Sequence, residues 1–373
     1  MDPSKSERTP GAIRAGMPEE TYEEHIVRHG AKGRGAHLYH AHPPTGWTRV
    51  EGNLRPHRFD LNRLEPTDRL DPRGWPVAFL SNADLRLSVS RRSEPMPFYA
   101  RNADWDELIF VHRGTGLIQS EYGSLPFGAG DYIVLPRATT YRIAPDTSDN
   151  FFLVTESKGE FEPPPSEPPG RPALHDPAAV FTPDAEAQLA AEPGWEWEVR
   201  ILAEGEFSSV FYRWDPLDVV DWKGDLTAWK INLRDLRPLP EGRARATFMT
   251  PGALLLTCLP RPLDTPTKTH NGPYFHRNTD YDEFVFCHQR DPFSRDSLEP
   301  GMAMLHPRGL HHGPHPARVE NQPDRSSTEE YAVLIEAREP LQILESGALV
   351  DEPEERRMRL TEYDAAPPDD DGV

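Results

Sequence analysis

The stretch Gly272–Pro314 contains the residues best suited to chemistry. His276 is followed by Glu283 and then by the strand-like run Phe284–Phe286, and a turn-like Pro-Arg-Gly farther along precedes His312. Two imidazoles and one carboxylate on one face of a metal ion leave its other positions open. This arrangement suits non-haem Fe(II) that binds a substrate and dioxygen together. We therefore predict that His276, Glu283 and His312 are metal ligands.

The spacing of these residues resembles the two half-motifs of cupin barrels. Asn278 stands where many cupins have a second histidine. A second group, His37, His40 and His42, also has a spacing that could bind metal, but it runs into Pro-Pro-Thr-Gly. Because this sequence is typical of a turn, we interpret the second group as part of a turn and not as a metal site.

Composition and charge restrict the classes of function. A chain of 373 residues can form two domains of ordinary size. Its 41 prolines favour loops and sheet connections over long helices. The formal net charge of −20 argues against nucleic acid as a partner, because binding to its backbone requires clustered lysine and arginine.

Cysteine content and hydropathy indicate the compartment. Cys258 and Cys287 are the two cysteines, so a disulfide framework is not expected and a reducing compartment is favoured. Residues 1–20 contain no apolar segment of the kind found in secretion signals, and no run approaches 18 apolar residues. We expect a cytoplasmic protein that does not contact a membrane.

Short apolar or alternating runs separated by glycine-containing turns predict a mostly all-β chain with few helices. We expect two cupin-type β-barrels of the jelly-roll kind. Four tryptophans of the inter-barrel segment are interpreted as ordinary core residues that pack between the barrels: Trp195, Trp197, Trp214 and Trp222. The expected divisions are an N-terminal arm and flanking segment (1–84), a barrel without metal (85–161), a Pro-rich connector and inter-barrel β segment (162–245), a metal-binding barrel (246–345) and a charged tail (346–373).

The two predicted barrels are copies of one pattern. Residues 99–110 match residues 275–286, and residues 130–141 match residues 301–312. The equivalent positions are Ala100 and His276, Asn102 and Asn278, Glu107 and Glu283, and Tyr141 and His312. Because one carboxylate with alanine and tyrosine offers too few ligands for Fe(II), we predict that the first barrel is a scaffold.

The sequence resembles the homogentisate 1,2-dioxygenase family, which consists of bicupins with a ring-cleaving iron in the C-terminal half. The resemblance covers roughly residues 85–345. The matching segments are Asp106-Glu-Leu-Ile-Phe-Val-His-Arg-Gly, Gly130-Asp-Tyr-Ile-Val-Leu-Pro-Arg, Val219-Val-Asp-Trp-Lys-Gly-Asp, Pro273-Tyr-Phe-His-Arg-Asn, Leu305-His306 and His312-Gly-Pro314.

This resemblance implies an Fe(II) extradiol-type dioxygenase that opens the ring of a hydroxylated aromatic acid with dioxygen. It implies the same three iron ligands and gives His306 the catalytic role of hydrogen-bonding the ring hydroxyl and taking its proton. Tyr274, Asn278 and His311 are expected to contact the substrate with His306. The family resemblance also implies a homo-oligomer built from trimers.

The sequence departs from the family in three places. The ligand spacing differs by one residue, and we choose Glu283 over Asp282 because of the following phenylalanine and the match with Glu107. A Gly-rich hairpin of the family is replaced by residues 288–300, and no histidine lies between His175 and His270, where the family has a catalytic one.

Three other functions fit the same residues. The dioxygenase could act on a different phenolic compound of the gentisate or hydroquinone type. A metal-cupin isomerase or hydrolase would need no dioxygen and could use Zn²⁺ or Mn²⁺. A non-enzymatic small-molecule binder would retain the site for folding alone. Metal identity and oxygen uptake distinguish these alternatives.

Overall fold

A computed structural model describes residues 21–28, 34–47, 49–52, 54–164, 173–183, 196–238, 244–262, 275–290, 298–313 and 327–352. The elements in these ranges are β1 (Tyr22–Val27), β2 (Gly35–His40), β3 (His57–Asp60), β4 (Val77–Ser81), β5 (Leu85–Ser90), β6 (Tyr99–Asn102), β7 (Asp106–Arg113), β8 (Gly116–Ser120), β9 (Gly123–Phe127), β10 (Asp131–Leu135), β11 (Thr140–Pro145), β12 (Phe151–Ser157), β13 (Trp197–Ala203), β14 (Glu206–Tyr212), β15 (Trp229–Asn232), β16 (Arg245–Thr250), β17 (Ala253–Cys258), β18 (Phe275–Asn278), β19 (Asp282–Gln289), β20 (Met302–His306), β21 (Tyr331–Ala337), β22 (Gln342–Ile343) and the helix α1 (Glu345–Val350).

The predicted fold class is confirmed, since the described residues form strands in two cupin-like barrels and a single α-helix. Short 3-10 helices lie at Leu61–Arg63, Thr67–Arg69, Pro177–Ala179 and Leu233–Asp235. Among the helices in the described ranges, none has the length and apolar character needed to cross a membrane.

The first barrel is built from two sheets. One sheet has the strand order β15-β10-β7-β12-β5-β4-β22, and the other has the order β14-β13-β6-β11-β8-β9. Strand β7 lies inside the first sheet and buries both faces. Leu108 and Phe110 point to a core shared with the second barrel, whereas Ile109 and Val111 point into the first barrel. This two-sided burial explains why the strand is a continuous apolar run, because alternate side chains face opposite sides of a sheet.

The second barrel contains strands from both ends of the chain. Its larger sheet has the order β16-β17-β21-β19-β20-β3, and its smaller sheet has the order β18-β1-β2. Strand β1 pairs in parallel with β18, and β3 pairs antiparallel with β20. The segment predicted to flank the barrels, residues 1–84, therefore supplies three strands to the second barrel.

The two barrels meet at equivalent positions of β7 and β19. His112 Nδ1 lies 2.9 Å from His288 Nδ1, and the ring centroids of Phe110 and Phe286 are 6.2 Å apart. Each phenylalanine also contacts the opposite histidine edge-on, at 5.1 Å in both cases. Equivalent residues of the two sequence repeats thus contact each other in a nearly symmetric, buried interface.

The connector residues extend the first barrel. Strand β13 pairs in parallel with β6, and β15 pairs with β10. The expectation that the tryptophans fill the space between the barrels is wrong for the three that are described. Trp197 packs on Tyr99 and Trp222 on Tyr122, both in the first barrel, whereas Trp214 is 59% exposed. Trp195 lies outside the described residues.

The predicted charged tail begins inside an ordered element. Helix α1 follows β22, which pairs with β4, and Asp351 forms a bridge with Phe59. Arg58 Nε lies 2.8 Å from Glu352 Oε2. The start of the predicted tail is therefore held against strands of both barrels, and residues 353–373 lie outside the described ranges.

A candidate metal centre in the second barrel

Three separate segments carry the predicted metal ligands. His276 lies in β18, and Glu283 lies near the start of β19. His312 follows β20 and forms a two-way backbone bridge with His276, with both N–H···O distances at 2.9 Å. The turn before His312 contains Gly309, whose φ of +81° is in the left-handed region that favours glycine and whose N–H donates to the Asn278 carbonyl at 2.8 Å. This turn directs His312 toward β18.

The side chains of these three residues converge on one point. Glu283 Oε2 lies 3.2 Å from His276 Nε2, and Glu283 Oε1 lies 3.3 Å from His312 Nε2. The two imidazole centroids are 3.8 Å apart. The ligand atoms of all three residues lie within 4.8 Å of one another.

The neighbouring histidines favour the carboxylate form of Glu283. Burial by itself raises the pKa of this carboxyl, but His312 and His276 outweigh burial and hold the pKa well below its usual range. The site therefore presents a negative charge to any cation that enters it.

The residues present fit a divalent metal ion. Metal–ligand bonds of about 2.0–2.2 Å place neighbouring ligand atoms about 3.0–3.5 Å apart, and the observed separations of 3.2 and 3.3 Å fall in this range. His312 Nε2 is buried and makes no hydrogen bond within the described part of the chain. A metal ion would bind this nitrogen together with Glu283 Oε1, which lies 3.3 Å from it.

The other predicted site residues have different environments. His306 Nδ1 lies 3.1 Å from Glu283 Oε1, and its ring stacks on His312 with centroids 4.4 Å apart. Asn278 is buried, and its Nδ2 has no acceptor among the described residues. His311 Nε2 instead lies 3.1 Å from a carboxylate of β1, that of Glu24. Tyr274 lies outside the described residues, so its predicted role stays untested.

Glu24 is a residue of this region that sequence reasoning missed. It is fully buried, and its two oxygens lie 2.7 Å from His40 Nε2, 3.1 Å from His311 Nε2 and 3.3 Å from Arg277 Nε. These contacts join β1 and β2 to the ligand strand and to the segment that ends at His312. The run Tyr-Glu-Glu-His-Ile-Val contains no signal that distinguishes Glu24 from its acidic neighbour.

The first barrel has the same backbone arrangement without the imidazoles. Tyr141 pairs with Ala100 as His312 pairs with His276. Glu107 accepts a hydrogen bond from the Tyr141 hydroxyl at 3.1 Å. Burial and the nearby charge of Glu156 raise the pKa of Glu107 to about 8, so this carboxyl is mostly protonated at neutral pH.

The chain is similar to several known proteins. A family model described as the N-terminal part of homogentisate 1,2-dioxygenase matches residues 87–233. A Saccharolobus solfataricus protein provisionally named a dioxygenase is 27% identical over 355 residues, which cover 89% of this chain and 91% of that protein.

Two homogentisate 1,2-dioxygenases also match. The Rhodopseudomonas palustris protein is 24% identical over 66% of this chain and 59% of its own length, and the Sinorhizobium fredii protein is 25% identical over 64% and 53%. The chain therefore matches somewhat more than half the length of these two relatives. A solved cupin barrel protein from Leptotrichia buccalis has a TM-score of 0.39 and 11% identity, and the match covers 77% of this chain and 99% of that one.

Proposed function

Because the chain is a divergent member of the homogentisate 1,2-dioxygenase family, we propose that it is an Fe(II)-dependent dioxygenase that opens the ring of a hydroxylated aromatic acid. The observation that carries this proposal is the convergence of two imidazoles and one carboxylate inside the second barrel, where the first barrel has Ala100 and Tyr141. Homogentisate is the first substrate to test.

His276, Glu283 and His312 would hold the iron on one face. Bound Fe(II) with open positions supplies a place where the ring oxygen of the substrate and dioxygen meet. The protein contributes the geometry of this face, since the two histidines are fixed to each other by the bridge between β18 and the segment after β20. Fixed ligands lower the cost of reorganisation during the reaction.

His306 would act on the substrate hydroxyl. Its Nδ1 lies 3.1 Å from Glu283 Oε1, and a carboxylate at that nitrogen favours the imidazole form that could accept the phenolic proton at Nε2. Asn278 Nδ2 is a buried donor available to a substrate oxygen. His311 and Tyr274 complete the predicted substrate contacts, although Glu24 engages one of the two ring nitrogens of His311.

We further propose a cytoplasmic homo-oligomer. The two cysteines, both in the described residues, are not joined by a disulfide, which fits a reducing compartment. Strand β14 lies at the edge of its sheet and exposes Phe207, Val210 and Phe211. An exposed apolar edge strand of this kind favours association with a second copy of the chain.

The test is oxygen consumption by protein reconstituted anaerobically with Fe(II), with homogentisate, gentisate and hydroquinone supplied in parallel. We expect uptake of one dioxygen per substrate consumed, with no uptake by Zn²⁺-loaded protein. Uptake with gentisate or hydroquinone alone would keep the chemistry and change the substrate. Iron-loaded protein that consumes no oxygen with any of the three would contradict the proposal and favour an oxygen-independent cupin enzyme or a binding protein.

A further inference from the structure

A second group of metal-type side chains lies on the N-terminal hairpin β1–β2. Glu23 and His25 alternate along β1 and therefore share one face of the strand. His37 of β2 lies directly opposite His25 in the antiparallel pairing, so it shares the same face. The hairpin thus presents two imidazoles and one carboxylate from two adjacent strands. None of these residues belongs to the centre formed by His276, Glu283 and His312.

The three side chains are already in contact. Glu23 Oε1 lies 2.8 Å from His25 Nε2 and 2.5 Å from His37 Nδ1, and the two imidazole centroids are 4.0 Å apart. The ligand atoms of all three lie within 4.8 Å of one another. A metal ion that replaced the shared protons would need these atoms about 3.0–3.5 Å apart. The hairpin would therefore have to open by only a few tenths of an ångström to about one ångström.

The solvent exposure of the three side chains increases from His25 to Glu23 to His37, so one side of the group is open to an entering ion. The side chain of His25 is 8% exposed, that of Glu23 is 24% exposed and that of His37 is 52% exposed. The buried ligand would fix the ion to the sheet, and the exposed side leaves room for a water molecule as a further ligand. Two nitrogen donors with one oxygen donor suit Zn²⁺ and similar transition-metal ions better than Mg²⁺ or Ca²⁺, which prefer oxygen ligands.

The position of the hairpin gives the site a role. His25 is the register partner of His276 in the parallel pairing of β1 with β18. Its neighbour Glu24 faces the other side of β1 and contacts Arg277 and His311 beside the candidate iron site. An ion that joins β1 to β2 would hold Glu24 and the ligand strand in one arrangement.

We propose that Glu23, His25 and His37 form a second metal site that binds Zn²⁺ or a similar transition-metal ion and clamps the N-terminal hairpin beside the strand that carries His276. The proposed role of the ion is structural. The proposal does not rest on the proposed dioxygenase activity, because none of its three ligands is among those that would hold iron.

The test uses a full-length chain in which the first site is removed by His276→Ala and His312→Ala. This chain is stripped of metal and titrated with Co²⁺, whose visible absorption reports nitrogen and oxygen ligation, and then with Zn²⁺ in competition. We expect one Co²⁺ per chain, displaced by Zn²⁺. Adding His37→Gln should weaken binding by about 100-fold or more, because one of three protein ligands is lost.

The matched control is His40→Gln in the same background. His40 lies on the same strand, but its Nε2 contacts Glu24 on the opposite face of the hairpin. Its replacement should change Co²⁺ affinity by less than about 3-fold. Circular dichroism of each variant checks that the chain is folded.

Two results would overturn the proposal: the chain without the first site binds no Co²⁺, or His37→Gln and His40→Gln weaken binding equally. Neither result bears on the dioxygenase proposal, because the titration uses a chain that lacks the iron ligands. Conversely, if the wild-type chain consumed no oxygen, the dioxygenase proposal would fail. The proposal of a second metal site would still be supported by a successful Co²⁺ titration.

Discussion

The two barrels carry buried glutamates at equivalent positions but differ in the side chains that lie opposite them. In the first barrel Glu156 pairs across the sheet with Arg86, which makes a bidentate contact with it. In the second barrel the equivalent Glu336 pairs with Leu254. At this position the first barrel has a cation from its own chain and the second barrel has an apolar residue. The proposed metal ion would bring positive charge to Glu283, the register partner of Glu336, so Arg86 of the scaffold copy would correspond to that ion.

The interiors differ at each position that could hold an imidazole. Ala100, Leu135 and Tyr141 of the first barrel match His276, His306 and His312 of the second. Leu135 pairs with Glu107 as His306 pairs with Glu283. Apolar side chains fill the first interior, and Ile109, Val111 and Val154 are among them. Because the two barrels have equivalent strands, a few side chains distinguish the first interior from the candidate metal centre of the second.

The largest stability effect is expected where the first barrel balances its charge. Arg86→Leu copies the second barrel and leaves the carboxylate of Glu156 buried without its cation. We expect a loss of roughly 3 kcal/mol in the free energy of unfolding, because removing one partner of a largely buried ion pair strands the other. Urea unfolding measures this loss.

The control for this change is Arg101→Leu in the same barrel. Arg101 donates to the neutral hydroxyl of Thr140, at 3.0 and 2.6 Å, so its loss strands no charge. It should cost clearly less than Arg86→Leu. Equal losses would contradict the idea that Arg86 replaces a metal ion.

Glu24→Gln tests whether the N-terminal strand supports the first site, formed by His276, Glu283 and His312. The change removes the charge that His40, His311 and Arg277 share, and it loosens the segment that carries His312. We expect metal affinity at the first site to fall by about 10–100-fold. Competition with a coloured chelator measures it. Glu51→Gln, at an exposed pair with Arg49, is the control, and a Glu24→Gln chain with unchanged affinity would remove Glu24 from the account.

The histidine pair between the barrels predicts an acid-sensitive interface. Burial and the neighbouring charge of His288 lower the pKa of His112 to about 3, and burial and Arg234 lower that of His288 to about 4. In the unfolded chain both titrate near 6.5. The unfolded state therefore binds more protons below that pH. The contribution of the two neutral histidines to the free energy of unfolding is fully present above about pH 6.5. It is lost as the pH falls, by roughly 1 kcal/mol per pH unit for each histidine.

Urea unfolding between about pH 6.5 and pH 5 measures this slope. The double variant His112→Gln and His288→Gln should flatten it, because neither glutamine takes up a proton. An unchanged slope in the double variant would show that other groups cause the acid sensitivity.

The smallest expected effect concerns a turn that occurs at equivalent positions in the two barrels. Gly309 has a φ of +81°, and Ala138 at the equivalent position has a φ of +64°. Ala138 also donates to the Asn102 carbonyl, as Gly309 does to that of Asn278. Ala138→Gly should stabilise the chain by about 0.5–1 kcal/mol, since left-handed backbone disfavours a side chain.

The reciprocal change Gly309→Ala should destabilise by a similar amount. A Cβ at Gly309 would meet no described heavy atom within 4 Å, so backbone strain alone causes the loss. Thermal unfolding of the two variants measures both shifts. Shifts of the same sign would show that the two turns are not equivalent.

Local sequence patterns were sufficient for much of the fold. Strands such as β7 and β19 are predicted by their apolar runs. The internal repeat aligns Glu107 with Glu283 from the sequence alone. The pairing of β1 with β18 joins Glu24 to Phe275 and had no such signal. A pairing between residues so distant in sequence leaves no periodic pattern in either segment. Which strand pairs with a polar strand such as β1 depends on how the whole sheet assembles.

The site was predictable to the same extent. The three ligand residues that the sequence singled out lie together, although their role in metal binding stays a prediction. The contrast between Arg86 and Leu254 was missed, because neither lies in an aligned segment and each acquires meaning only through its cross-strand carboxylate. The wrong placement of the tryptophans has a similar cause, since β13 attaches to the outer edge of the first barrel through β6.

Oxygen uptake by iron-loaded Glu283→Gln and Glu107→Gln, with the aromatic acid that wild-type protein consumes, tests the central claim most directly. Glutamine resembles the protonated carboxyl that Glu107 already carries at neutral pH, so Glu107→Gln should retain wild-type uptake. Glu283→Gln should lose it, because an amide is a weak metal ligand and carries no charge. Loss of uptake in both variants, or retention in Glu283→Gln, would contradict the assignment of chemistry to the second barrel alone.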